Sequence, residues 1–227
     1  MRQEKILITG AGGQLGSVLT LKLQEKWGAK NIIASDLYAK DDFIGNFEVL
    51  DATNFEALQT IVIKYGITQI YHLAAILSAN GEKAPLSTWD INMKTLFNVL
   101  DIAQSGQVKK VFFPSSIAVF GAEARRKKTP QFEVLIPNTV YGISKVAAEN
   151  WCAYYHGKYN VDVRSLRYPG IIGYETMPGG GTTDYAVDIF HEALKHKKFT
   201  CFLKEDTPLP MIYMRDAVRA TLEIMDA

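Results

Sequence analysis

Tyr141 and Lys145 stand four residues apart in Tyr141-Gly142-Ile143-Ser144-Lys145, and a serine pair, Ser115-Ser116, precedes them. On a helix that separation puts phenol and amine on one face. A nearby ammonium favours the phenolate, so the phenol can release its proton closer to neutral pH. Such a group takes the proton of an alcohol while hydride leaves the alcohol's carbon. Near the amino terminus lies a glycine-rich turn, Gly10-Ala11-Gly12-Gly13-Gln14-Leu15-Gly16. Backbone free of side chains turns tightly and approaches a pyrophosphate, which then sits at the helix N-terminus. The spacing is GxxGxxG, because Leu15 occupies the third-glycine position of the commoner GxGxxG.

Asp36 follows Gly16 by twenty residues and closes an apolar run. A carboxylate there accepts hydrogen bonds from the adenosine ribose hydroxyls and repels a 2′-phosphate, which selects NAD over NADP. Asp51-Ala52 ends the next run, where it either binds an adenine amino group or makes a simple turn. Leu73-Ala74-Ala75 supplies small residues for close backbone approach to a cofactor, or for tight packing. Asn92 is an awkward amide inside a long helix unless it is hydrogen-bonded. It either holds backbone near the site or faces solvent.

These residues need a scaffold, and the apolar pattern supplies one. Strands are expected at Lys5–Thr9, Asn31–Ser35, Phe47–Leu50, Gln69–Ala74, Lys110–Pro114, Val161–Arg167 and Phe199–Leu203. Helices are expected at Gly16–Trp27, Asn54–Tyr65, Trp89–Ser105, Val140–Tyr159, Tyr185–His196 and Arg215–Met225. Continuous apolar strands alternating with helices predict a parallel sheet covered on both faces. Ligands bind beyond the carboxyl ends of such strands. Gly10, Asp36, Asp51, Ala74-Ala75, Ser115-Ser116 and Tyr168-Pro169-Gly170 all fall at such ends. The expected fold is an α/β, Rossmann-type doubly wound sheet. Residues 1–167 would form the nucleotide domain and 168–227 a small, incomplete carboxyl-terminal substrate lobe.

The composition is that of an ordinary globular protein: 227 residues, 48% hydrophobic, 22% charged, net charge +1. Near-neutral charge argues against a nucleic-acid or membrane-surface binder. Arg125-Arg126-Lys127-Lys128 reads as a solvated loop. Cys152 and Cys201 form no metal-ligand spacing, so reduced thiols and no metal site are expected. No apolar run is long enough to span a bilayer. Met1–Lys5 leads straight into a strand without room for a leader, which predicts a cytoplasmic protein unless a leader has been cut away.

Taken in order, Gly10-Gly13-Gly16, Asp36, His72-Leu73-Ala74-Ala75, Ser115-Ser116 with Val119-Phe120-Gly121, and Tyr141 with Lys145 resemble the extended branch of the short-chain dehydrogenase/reductase superfamily. The resemblance implies that Tyr141 is the acid/base, and that Lys145 holds the nicotinamide ribose and favours the tyrosinate. It implies that Ser116 or Ser115 bonds the reacting oxygen. Gln14, Leu15, Tyr168 and Pro169 belong to the implied cofactor contacts. Sugar-nucleotide epimerases of this branch carry Arg-Tyr-Phe-Asn after the sixth strand; here the residues are Arg167-Tyr168-Pro169-Gly170. The loop Gly179-Gly180-Gly181-Thr182-Thr183-Asp184-Tyr185-Ala186, with Ile76-Leu77-Ser78, is similar to the short-chain type of L-threonine 3-dehydrogenase. That likeness implies L-threonine as substrate and 2-amino-3-ketobutyrate as product. Asp184 would pair with the ammonium, and Ser78, Thr182 and Thr183 would meet the polar ends. Thr182-Thr183-Asp184 also reads as a helix cap. An epimerase or dehydratase and a non-catalytic NAD-binding module stay open as alternatives. Members of the family are longer, about two ordinary domain lengths. Pairing of the two long helices across a homodimer is expected by analogy.

Overall fold

Ile6–Thr9 carries no charge and is buried at every position, which suits an interior parallel strand. It forms β1. The computed structural model describes residues 4–39, 43–177, 179, 181 and 183–227. β1 is followed by α1 (Gln14–Trp27), β2 (Ile32–Asp36), β3 (Asn46–Val49), α2 (Phe55–Tyr65) and β4 (Gln69–His72). Next come the short α3 (Ser78–Gly81), α4 (Pro85–Gln104), β5 (Lys110–Ser116), α5 (Val140–Tyr159) and β6 (Asp162–Tyr168). β7 (Gly170–Ile172), α6 (Tyr185–His196), β8 (Met211–Tyr213) and α7 (Met214–Asp226) complete the described elements.

The main sheet has six strands in the order β3-β2-β1-β4-β5-β6, all parallel. The chain runs outward from β1 to β3, then returns to the other side of β1 at β4. That reversal opens a crevice at the carboxyl ends of β1 and β4. Side chains alternate between two cores. Leu7, Ile33, Ile70, Val111 and Phe113 pack with α2, α4 and α5 on one face. Ile6, Ile8, Ile32, Tyr71 and Phe112 pack with α1 and α7 on the other.

Several boundaries differ from the pattern-based expectation. α4 begins at Pro85 rather than Trp89, because a proline at the first helical position loses no intrahelical bond. β5 runs on to Ser116, since β6 pairs with it as far as Ser116–Tyr168. β4 pairs with β5 only up to Phe112, so Pro114 lies where no β4 strand needs its missing N–H. Phe199–Leu203 forms no strand, and Phe202 is exposed. The second, two-stranded sheet pairs β7 with β8 instead. Three-residue strands are too short to show a period. Met214, Ala217, Val218 and Met225 of α7 join the core of α1 and β1, because a helix with one apolar stripe must bury it. Among the described residues no helix is long and apolar enough to cross a membrane.

Candidate active site

The nucleotide end begins where β1 stops. Gly10 has φ +74°, and a Cβ there would lie 2.7 Å from the backbone nitrogen of Ala74. A Cβ on Gly16 would lie 2.2 Å from the Gly10 carbonyl. Both glycines are therefore demanded by packing of the turn against α1 and against Leu73–Ala74. Gly13 differs, for its Cβ would meet only the Gly10 carbonyl, at 3.5 Å. It caps α1 without a side-chain bond, and the first turn, with Gln14 and Leu15, holds no acid. An uncapped, acid-free helix start behind a side-chain-free turn fits a pyrophosphate.

Asp36 lies at the end of β2, half-buried. Its Oδ2 accepts from the Gly12 amide at 2.8 Å, and Oδ1 from the Leu37 amide at 2.8 Å. A carboxylate has about four lone-pair sites, so capacity for ribose hydroxyls remains. The turn and Asp36 together fit the adenosine half of NAD. Asp51 is exposed, and its Oδ1 accepts from the amide and hydroxyl of Thr53 at 2.9 and 2.7 Å. It thus makes the turn before α2. Ala52 is buried, its carbonyl held by Asn98 Nδ2 at 2.9 Å. The Leu73 amide bonds the Thr9 carbonyl, which fixes Leu73-Ala74-Ala75 beside Gly10. Asn92 accepts from the Ile76 amide at 2.8 Å and donates to the Ile76 carbonyl at 3.1 Å. Both its polar atoms serve the loop after β4, so it braces that loop rather than reaching for a ligand.

The proton-transfer end lies where β5 meets α5. Gly142 lets the two approach: a Cβ there would fall 2.3 Å from the Ala118 carbonyl. Thr139 caps α5 by accepting from the Gly142 amide at 3.1 Å. Tyr141 then lies beside Ser116, whose hydroxyl eases ionisation of the phenol. Ser116 Oγ also accepts from the Ala118 amide at 3.1 Å. Ser115 goes elsewhere. It is 2% exposed and donates to Glu149 Oε1 at 2.5 Å, so its hydroxyl proton is already committed there. Both serines lie in β5, and the strand's alternation sends their side chains to opposite faces.

Lys145 is 4% exposed, and its Nζ donates to the Pro114 carbonyl at 2.6 Å. Nζ lies 4.3 Å from the Phe113 ring centre and 5.3 Å from that of Tyr141. Burial pushes Lys145 down to about 7, partly offset by Cys152 and Glu149. Burial likewise pushes the Tyr141 phenol up to about 12, against the Ser116 hydroxyl. Loss of water therefore works against the expected tyrosinate, and the Ser116 hydroxyl works for it.

The loop after β7 comes close to the same region. A Cβ on Gly179 would lie 3.8 Å from Leu77 Cδ1, and Leu77 precedes Ser78 at the start of α3. Glu82, after α3, accepts from the Val140 amide at 2.9 Å, next to Tyr141. Asp184 turns its carboxylate back to the Gly181 amide at 2.7 Å and makes no side-chain cap on α6. Thr183 packs on Gly170, where a Cβ would meet it at 2.8 Å. Thr182 lies outside the described residues. The Tyr168 side chain turns into the core. Its hydroxyl hydrogen-bonds Thr221 of α7, its ring meets Phe112 edge-on, and burial pushes its phenol up. The strand alternation puts it on the α1–α7 side. Pro169 only joins β6 to β7.

Two charged residues here escape the motif reading. Glu149 lies eight residues after Tyr141, on the same helical face as Lys145. Arg167 pairs across the sheet with Ser115. The helical spacing 141, 145, 149 is the signal that finds Glu149; Arg167 shows itself only once the strands are in register.

The family model described as NAD dependent epimerase/dehydratase family matches residues 6–227. The mitochondrial L-threonine 3-dehydrogenase of Bos taurus is 45% identical over 99% of this chain and 61% of its own length. A partial consensus L-threonine 3-dehydrogenase superposes with a TM-score of 0.96 at 56% identity, over 98% of this chain and 72% of that one. The holo form of the GalE-like L-threonine dehydrogenase from Cupriavidus necator gives 0.95 at 55%, over 98% and 73%. The glycine turn with Asp36, the Tyr141–Ser116–Lys145 corner and these matches agree: the chain belongs to the NAD dependent epimerase/dehydratase family.

Proposed function

We propose that this protein oxidises the β-hydroxyl of L-threonine to a ketone, giving 2-amino-3-ketobutyrate. The carrying observation is the Tyr141–Ser116 hydroxyl pair set over buried Lys145, in a chain so similar to named L-threonine dehydrogenases. NAD, when bound, supplies the acceptor for the hydride that leaves the substrate carbon. Gly13, the first turn of α1 and Asp36 hold its adenosine half. Ser116 orients the substrate hydroxyl, and Tyr141 removes its proton. Lys145 supplies positive charge beneath the phenol, which lowers the cost of the tyrosinate in this dry corner. Ser78, Thr183 and Asp184 serve the polar ends of the amino acid, with Asp184 facing its ammonium. A cytoplasmic location belongs to the same reading.

The chain is mixed with NAD and L-threonine, and absorbance of the reduced nicotinamide is followed. NAD binding is measured separately by calorimetry. Binding without reduction removes the reading. We further infer a homodimer through α4 and α5. Trp151, Tyr154 and Tyr159 form an aromatic face of α5 that is 41%, 48% and 39% exposed, and Trp151 meets Phe97 of α4 edge-on. One solved relative is a monomeric L-threonine 3-dehydrogenase. Sedimentation at rising concentration decides: a monomer throughout rules the dimer out.

A further inference from the structure

Glu149 lies one turn beyond Lys145 on α5, and its carboxylate is the hub of a cluster. Arg167 grips it twice, Nε to Oε1 at 2.8 Å and Nη2 to Oε2 at 2.7 Å. Ser115 donates to Oε1 at 2.5 Å. Arg167 Nη1 also donates to the Gln131 carbonyl at 2.9 Å, and the guanidinium lies 5.2 Å from the Phe120 ring centre. The two charged side chains are only 17% and 20% exposed. A two-pronged pair this far from water has a fixed geometry.

The cluster joins β5 through Ser115, β6 through Arg167 and α5 through Glu149. Its place in the strand matters. Pro114 holds Lys145 and Ser115 holds Glu149 through hydrogen bonds, and Ser116 lies beside Tyr141. Three consecutive residues of β5 thus engage three residues on one face of α5. We propose that Glu149, Arg167 and Ser115 are positioning residues that lock the end of β5 to α5 and balance the charge facing Lys145. This rests on the oxidoreductase reading above.

The groups around Lys145 support the charge balance. From β4 comes His72, which burial pushes down to about 3, leaving it neutral. From α5 come Tyr141, Cys152 and Glu149. Burial pushes the Cys152 thiol up to about 12, so it too is neutral. Burial opposes ionisation of Glu149, yet the bonds from Arg167 and Ser115 hold it below the usual carboxylate range. β5 adds the Phe113 ring and the Pro114 carbonyl. Glu149 is therefore the anion among these groups, and its charge is paired with Arg167 of β6.

The test uses Ser115→Ala, Arg167→Met and Glu149→Gln. Lys145 is titrated by NMR of nitrogen-labelled lysine, without NAD or substrate. Turnover, NAD affinity and thermal stability are measured in parallel. Arg167→Met should move the Lys145 midpoint up by about one pH unit, and Glu149→Gln should move it down. Ser115→Ala should lower turnover about tenfold while the chain still folds and binds NAD with unchanged affinity, the mark of lost alignment rather than lost folding. Glu149→Gln keeps the shape of the site and serves where Arg167→Met does not fold. An unmoved midpoint overturns the charge balance, and full turnover in Ser115→Ala overturns the lock. Should the wild-type chain bind NAD but leave L-threonine unoxidised, the functional reading fails, and the Lys145 midpoints still decide this proposal.

Discussion

Lys145 makes its short hydrogen bond to Pro114, not to Tyr141: Nζ is 2.6 Å from that carbonyl and 5.3 Å from the tyrosine ring centre. The amine is thereby anchored to the strand that carries Ser116. A proline without an N–H sits at the point where β4 has ended, and its carbonyl is turned to use. Helix α5 and strand β5 hold each other through the same atoms that would do the chemistry.

Tyr141→Phe removes the phenolic oxygen and keeps the ring. Turnover should fall about 10²-fold or more, the scale of lost acid–base catalysis. NAD affinity should change little. Single-turnover kinetics checks this, and unchanged turnover would remove Tyr141 from the mechanism.

Asp36→Ala removes the acceptor at the end of β2 and its bond to the Gly12 amide. Hydrogen bonds to a charged group are worth about 1.5–3 kcal/mol, so NAD should weaken about tenfold or more. NADP should gain relative to NAD. Calorimetric titration with both dinucleotides measures it; continued refusal of NADP would deny Asp36 its role.

Lys145→Met tests the cost of a buried amine. The folded-state value is depressed to about 7, so between there and the ordinary lysine range the unfolded chain binds more protons. Stability therefore rises with pH through that window, and below pH 7 the full penalty applies. Removing the amine should raise Tm at pH 6 and much less at pH 10. Calorimetric scans at both values decide; an equal change at both would mean the lysine is not held neutral.

Asn92→Ala deletes both bonds to Ile76 while the backbone groups stay in place. The loss should be about 1–3 kcal/mol by urea titration, the cost of unsatisfied buried groups. The Michaelis constants should rise too, because the loop carrying Ala74, Ala75 and Ser78 slackens. A change under about 0.5 kcal/mol would show that water replaces the amide without cost.

The order of chemical groups along the chain was legible before any coordinates. Glycines after an apolar strand, an acid after the next, and a tyrosine four before a lysine depend on local geometry alone. A turn, a strand end and one helical face each follow from short-range spacing. So did the alternation of strand and helix, because burial on both sides of a parallel sheet writes itself as continuous apolar runs. What neighbours in space decide could not be read that way. Ser115 and Ser116 have equal claims in sequence, and only the placing of β5 against α5 decides that one side chain meets Glu149 and the other lies beside Tyr141. Tyr168 lies at a strand end like the other expected site residues, yet sheet parity points its side chain at Thr221. The pairing of Arg167 with Glu149 needs β5, β6 and α5 in register at once. The charge state of Tyr141 and Lys145 belongs to the same class, since spacing brings the two groups together but exclusion of water sets what each ionisation costs.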